Sequence, residues 1–317
     1  MSAVVDAPTR VAPKPGSAIS RLHTYFAEMY PLPLGLVVGF VLAAELYLLT
    51  VLVNGRAIHA IGVAEVTLGL TLFAFLLNLR IADDFKDYDT DLTLFPERPL
   101  PSGRTRKSDL IITLVVVDVV VVALNLVFVR NYVFFGLLVV YGTLMSVWFF
   151  QRYRIQHSLV LAVVTHNPVQ LIMNLYVISY ACQAYHIPLV GWTNLLILVT
   201  LYFPGLIWEI ARKTRAPEDE TEYVTYSRLF GLRRVAAFVV GVMFIDIATT
   251  AILIWHVYWW AVFPVAAAYA WLVSECVLFV RNPRRRKLIT SVIAYDFLAE
   301  GMVTLFLLAR LIGLGSA

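Results

Sequence analysis

Long apolar runs separated by short charged segments dominate the chain. Nine stretches are long and apolar enough to cross a bilayer, at about 32–53, 61–82, 109–128, 131–150, 158–180, 189–210, 235–255, 258–280 and 289–312. Backbone polar groups in a lipid core must be paired within their own segment, so each stretch is expected to be an α-helix. Ahead of the first, residues 19–30 place Leu22, Tyr25, Phe26 and Met29 on one helical face, the pattern of a helix lying along a membrane surface. Residues 1–18 are polar and rich in Ala, Pro and Val, without the apolar core of a cleavable signal peptide. They are expected to be a disordered tail, leaving 19–317 as one transmembrane domain. In the fifth stretch His166-Asn167-Pro168 and Asn174 interrupt the apolar pattern, and Pro168 is expected to bend the helix.

Composition supports lipid as the solvent. Of 317 residues 60% are hydrophobic and 15% charged, with a mean hydropathy of +0.79, more apolar surface than a water-soluble domain of this size can cover. Cys182 and Cys276 have neither the spacing nor the context of a metal pair and read as apolar fillers. The net charge of +4 says less than the placement of the charges. With the N-terminus in the cytoplasm, 22 of the 25 Lys and Arg fall in cytoplasmic segments, leaving Arg56, Arg130 and Arg310 opposite. That bias orients the chain, supports nine spans over an even number, and leads us to expect a multi-pass protein of the cell (inner) membrane. No nucleic-acid partner is expected.

Two acid-rich loops follow the second and sixth spans, on the same side. The first, residues 83–91, holds five Asp in nine positions. Asp83, Asp87 and Asp91 are spaced i, i+4, i+8, so a continuing helix would stack them on one face. Like charges there repel, and hard oxygen ligands at a membrane surface suit Mg²⁺ and, with it, a phosphate-bearing substrate. The alternative is a solvated acidic loop balanced by Arg80, Lys86 and Arg98. The second loop runs Glu209-Ile210-Ala211-Arg212-Lys213 and then Glu218-Asp219-Glu220-Thr221-Glu222. Glu218 and Glu222 keep an i, i+4 spacing, and a solvated charged loop is again the alternative.

The Asp-Asp-x-x-Asp-x-x-x-Asp run from Asp83, followed by Arg98-Pro99-Leu100-Pro101-Ser102-Gly103, resembles the first motif of the UbiA superfamily of intramembrane prenyltransferases. The resemblance implies an all-α bundle of nine transmembrane helices under a cytoplasmic cap. It implies that Asp83, Asp84, Asp87 and Asp91 coordinate Mg²⁺ bound to the diphosphate of an isoprenoid donor. Asp83 departs from the family's leading Asn. The second motif, Asp-x-x-x-Asp near Glu-Ile-x-x-Lys, has diverged: the Glu-Ile portion stands at Glu209-Ile210, with Glu209 and Glu218 as metal candidates in place of the aspartate pair. Arg80, Arg152, Arg212 and Lys213 become candidates for the donor's diphosphate, since Arg forks onto two oxygens and Lys supplies a mobile point charge. Arg152 stands where the family carries the Lys of a Tyr-x-x-x-Lys element, here Trp148-Phe149-Phe150-Gln151-Arg152. The activity implied is Mg²⁺-dependent transfer of a prenyl group from a prenyl diphosphate, dissolved in membrane lipid, to an aromatic acceptor. A terpene cyclase working without acceptor is the alternative enzyme. A channel or transporter is disfavoured because the acids gather at one membrane face.

Glu45, Asp118, Asp246, Glu275, Asp296 and Glu300 lie inside expected spans. Acids are costly in lipid and are expected to face the bundle interior, with Asp296 and Glu300 one turn apart. His166 reads more readily as a hydrogen-bonded structural histidine than as a base. Trp148, Phe149, Phe150, Tyr176 and Tyr202 suit either a cation-stabilising pocket wall or ordinary packing.

Overall fold

The computed structural model describes residues 16–58, 61–220 and 224–311, and all regular structure among them is helical. Residues 1–15 of the tail expected over 1–18 lie outside the described residues, and its last residue, Ala18, already belongs to the first helix. Helix α1 (Ala18–Met29) begins where the Ser17 hydroxyl accepts the Ser20 N–H at 3.3 Å. The remaining helices are α2 (Leu32–Val53), α3 (Val63–Lys86), α4 (Tyr88–Leu94), α5 (Lys107–Leu124), α6 (Tyr132–Ser146), α7 (Arg152–Gln156) and α8 (Leu159–His166). They continue as α9 (Val169–Tyr185), α10 (Trp192–Thr200), α11 (Phe203–Arg212), α12 (Tyr226–Phe230), α13 (Leu232–Tyr258), α14 (Val262–Arg281) and α15 (Leu288–Leu311).

Eight helical segments among the described residues are long and apolar enough to span a membrane, making this an integral multi-pass membrane protein. The fourth expected span differs. Instead of 131–150, α6 covers 15 residues, about 22 Å, short of the roughly 30 Å hydrocarbon core. It stops because Trp148, Phe149 and Phe150 take positive φ angles of 54°, 48° and 57°, a left-handed turn that no α-helix continues. The fifth span breaks at Pro168 between α8 and α9, as its sequence implies. The sixth also breaks, between α10 and α11, ahead of Pro204, whose ring nitrogen has no hydrogen to give the preceding turn.

Helix α2 is central: it packs along α3 and against α9, α13 and α15. Close approach to α3 depends on Gly39, where a Cβ would stand 2.7 Å from the Phe73 backbone nitrogen, and on Gly69, where one would meet the Phe40 ring at 2.6 Å. Small residues let helices approach in lipid, where packing replaces the hydrophobic effect as the source of association. The core contains Leu46, Leu49, Leu72, Tyr176, Val239, Leu272 and Val292. Polar contacts add to it: the Tyr176 hydroxyl donates to Asn125 Oδ1 (2.6 Å), and Asn125 Nδ2 donates to Thr71 Oγ1 (2.8 Å), joining α9 and α3 to the π-helical turn Asn125–Val129. Cys182 and Cys276 are buried free thiols.

Candidate active site

The first acid motif begins inside a membrane helix and leaves it without losing helical register. Helix α3 ends at Lys86 and α4 resumes at Tyr88, while the amides of Asp87, Asp91 and Phe95 each bond the carbonyl four residues earlier, all at 2.9 Å. Asp83, Asp87 and Asp91 therefore stand on successive turns, as their spacing anticipates. Their partners differ. Asp83 pairs with Lys86 (2.7 Å), and buried Asp91 takes a fork from Arg98 Nη1 at 2.9 and 2.8 Å. Asp84, also buried, accepts from Arg80 Nη2 (2.5 Å) and from the Tyr25 hydroxyl (2.6 Å). The Asp87 carboxylate has no hydrogen bond or ion pair among the described residues. Burial foremost, then the charge of Asp83, pushes its carboxyl up to about 6, with Lys86 and Lys213 pulling the other way.

Helix α1 holds this motif from outside. Arg21 forks onto Asp109 (2.6 and 2.7 Å), Glu28 pairs with Arg104, and Tyr25 is wholly buried against Leu77, Ile81, Leu100 and Leu110. Its hydroxyl pKa is raised, first by burial and then by the Asp84 charge. The surface helix is thus bolted over the acid motif and the Pro-rich turn behind it.

Lys86 joins the motif to α8. Its side chain is 8% exposed, and its ammonium lies 3.3 Å from His166 Nε2 and 4.5 Å from the centre of the Trp148 ring. An ammonium only donates, so Nε2 accepts and Nδ1 carries the hydrogen, which the Ala162 carbonyl receives at 3.2 Å. His166 is therefore bonded at both nitrogens, in keeping with the structural reading. The left-handed turn after α6 sets Trp148 and Phe149 edge-on to the imidazole, with centroids 5.4 and 5.7 Å away. The charge of Lys213, from the second motif, is felt at Asp87, where it opposes the effect of burial.

The remaining candidates are distributed. Glu209 holds Lys213 (2.8 Å) and Arg212, whose guanidinium also lies 5.1 Å from the Trp208 ring centre. Glu218 is tied instead to Arg284 (2.9 Å), ahead of α15, and its pKa is lowered by its own backbone amide and then by that guanidinium. Glu209 and Glu218 are thus held by different cations, and Glu222 lies outside the described residues. Glu220 accepts from the hydroxyls of Thr225 (2.7 and 2.6 Å) and Ser227 (2.7 Å), which folds the loop back on itself. Arg152 reaches exposed Asp89 at 3.8 Å. No three Asp, Glu, His or Cys side chains converge as a metal cage among the described residues. Sequence reasoning gave Lys86 and Tyr25 no part in the site. The only signal for Lys86 was a lone cation inside an acidic run, and nothing along the chain ties Tyr25 to Asp84.

No family model matches the sequence, and no curated protein matches it. The fold does match a solved structure, described as that of digeranylgeranylglyceryl phosphate synthase in membranes, a UbiA-superfamily intramembrane prenyltransferase. The TM-score is 0.55 at 12% identity, over 92% of this chain and 99% of that one. At that identity the similarity is one of fold, and the UbiA-like helical bundle expected from the first motif is the fold observed.

Proposed function

We propose that the protein is a Mg²⁺-dependent intramembrane prenyltransferase that moves a prenyl group from an isoprenoid diphosphate to an aromatic acceptor. The observation that carries this reading is the stacking of Asp83 and Asp87 on successive turns, with Lys86 paired to Asp83 and the charge of Lys213 felt at Asp87, at the mouth of a UbiA-like bundle. Asp87 fits a cation, being a carboxylate crowded by like charge and free of any partner. Mg²⁺ commonly keeps several waters and takes only one or two carboxylates plus substrate phosphate, so a preformed cage of acids is not required. Asp83 and Asp87 would hold the ion, which when bound supplies positive charge to the diphosphate oxygens.

The other residues act as follows. Lys86 and Lys213 draw on the charge that develops on the departing diphosphate as the allylic C–O bond breaks. The Trp148 ring lies beside Lys86 and favours the electron-poor prenyl carbon. Apolar helices below the cap exclude water from the carbocation until the acceptor supplies its electrons. Arg80 and Arg98 hold Asp84 and Asp91, which makes those two acids a frame for Asp83 and Asp87. In this reading the N-terminus and both acid loops are cytoplasmic, in the inner membrane. The test is pyrophosphate release by purified protein from C10 to C50 prenyl diphosphates, with and without Mg²⁺ and aromatic acceptors. Release that needs both Mg²⁺ and acceptor supports transfer, and full release without acceptor supports a cyclase. No release from any chain length rejects both.

A further inference from the structure

Two cationic segments come together at the end of the bundle that carries the second acid loop. One is the start of α13, with Arg233 and Arg234. The other is the turn between α14 and α15, Arg281-Asn282-Pro283-Arg284-Arg285-Arg286-Lys287. Printed contacts hold them near each other. Arg284 pairs with Glu218 at 2.9 Å, and the neighbouring Pro217 lines one groove with Gly231 and Leu232, at the head of α13. Glu275, near the end of α14, pairs with Arg286 and accepts from the Ser291 hydroxyl of α15 at 3.1 Å. Helices α13 and α14 themselves pack along each other.

The positive charge at this corner is unanswered, unlike that around the first acid motif. There Arg80, Lys86, Arg98 and Arg104 each meet a carboxylate. Here Arg233, Arg234, Arg281, Arg285 and Lys287 are exposed and form no ion pair among the described residues. The described acids of the two segments are already engaged: Glu218 by Arg284, Glu275 by Arg286, and Glu220 by the Thr225 and Ser227 hydroxyls. Exposed Asp219 is left against five cations. A patch of one sign concentrates counter-ions of the other, and at the end of membrane helices the nearest anions are lipid phosphates.

The helix surface next to these cations separates a lipid from a soluble anion. Phe238 is 48% exposed and one turn beyond Arg234 on α13. Val277 and Leu278, 45% and 38% exposed, lie one turn before Arg281 on α14. Charged heads at a helix end reach the interface while the apolar residues of the adjoining turn face the chains. A soluble anion uses the cations alone, whereas a phospholipid uses both surfaces. We propose that this corner is a binding site for an anionic phospholipid, its phosphate between the start of α13 and the α14–α15 turn and its chains along Phe238, Val277 and Leu278. The inference does not depend on the reaction the protein performs.

Native mass spectrometry of the full chain in a neutral detergent tests this with phosphatidylglycerol and phosphatidylcholine of identical chains. Phosphatidylglycerol should bind about tenfold more tightly. In Arg233→Gln/Arg234→Gln/Arg285→Gln/Lys287→Gln that preference should fall at least about fivefold, with phosphatidylcholine binding unchanged as the sign of an intact fold. Arg285→Gln/Lys287→Gln, confined to the turn between helices, should by itself lower it about twofold to threefold. Arg106→Gln/Arg154→Gln removes two exposed cations of other loops and should leave the preference as it is. Glycerol phosphate and polyglutamate, anions without chains, should not displace the lipid even in large excess. A preference that survives both cluster variants, one lost equally in Arg106→Gln/Arg154→Gln, or displacement by either soluble anion overturns the proposal.

Discussion

Asp87→Asn should make the protein more stable while weakening its hold on Mg²⁺. The Asp87 carboxyl rises from its ordinary 3.8 to about 6 because burial and Asp83 oppose its charge more than Lys86 and Lys213 support it. Below about pH 4 the group is protonated in folded and unfolded protein alike, so it adds nothing to the difference. As pH climbs from about 4 to about 6 the unfolded state ionises first, and the penalty in the folded state grows until it is complete above 6. Two pH units at about 1.4 kcal/mol each set a ceiling of about 3 kcal/mol, and solvent at the cap lowers the expected value to about 1–2 kcal/mol. Asparagine keeps the shape and removes the charge. Reversible unfolding in mixed micelles with a chelator present should show the variant more stable by that amount at about pH 8, with the two proteins converging near pH 4. Adding Mg²⁺ should then stabilise the wild type more than the variant. A variant less stable at pH 8, or a difference independent of pH, would refute the electrostatic reasoning.

Other changes have equally definite expectations. Lys86→Met should weaken binding of a prenyl diphosphate by about tenfold to a hundredfold, the scale of a lost charged hydrogen bond, and competition binding reads it. Tyr25→Phe removes the hydroxyl that Asp84 accepts, costing about 1–2 kcal/mol of stability in the same unfolding assay. Gly39→Val places a side chain where even a Cβ stands 2.7 Å from the Phe73 nitrogen, and overpacking should cost at least about 2 kcal/mol. Single cysteines at Asp89→Cys and Asp219→Cys, in a background without Cys182 and Cys276, should resist an impermeant thiol reagent added to intact cells. Labelling of either would reverse the proposed orientation.

Much of this architecture is legible in the chain because lipid imposes a simple code. A span must be apolar and helical, so hydropathy alone locates α2, α3, α5 and the helices from α13 onward. The spacing of Asp83, Asp87 and Asp91 gives their stacking because α3 stays in register through Asp87. Hydropathy fails where backbone geometry decides. The run from Tyr132 to Phe150 is apolar throughout, yet the positive φ angles at Trp148–Phe150 end α6 early and leave no mark on composition. Pro204 marks a break that an apolar stretch conceals. Within the site, the acids are visible and their partners are not. That Tyr25 reaches Asp84 across 59 positions, or that Glu218 turns to Arg284 instead of joining Glu209, follows from tertiary packing that no local spacing encodes.

The fate of the prenyl carbon tests the central claim most directly. Purified protein is incubated with isotopically labelled geranylgeranyl diphosphate, Mg²⁺ and hydroquinone, and the products are separated by mass. Prenyl transfer predicts label covalently joined to the ring, with one pyrophosphate released per product and none formed when Mg²⁺ is chelated or when Asp83 and Asp87 are both replaced by alanine. Label found only in a cyclic hydrocarbon or alcohol, or a yield that persists in the double variant, would contradict it.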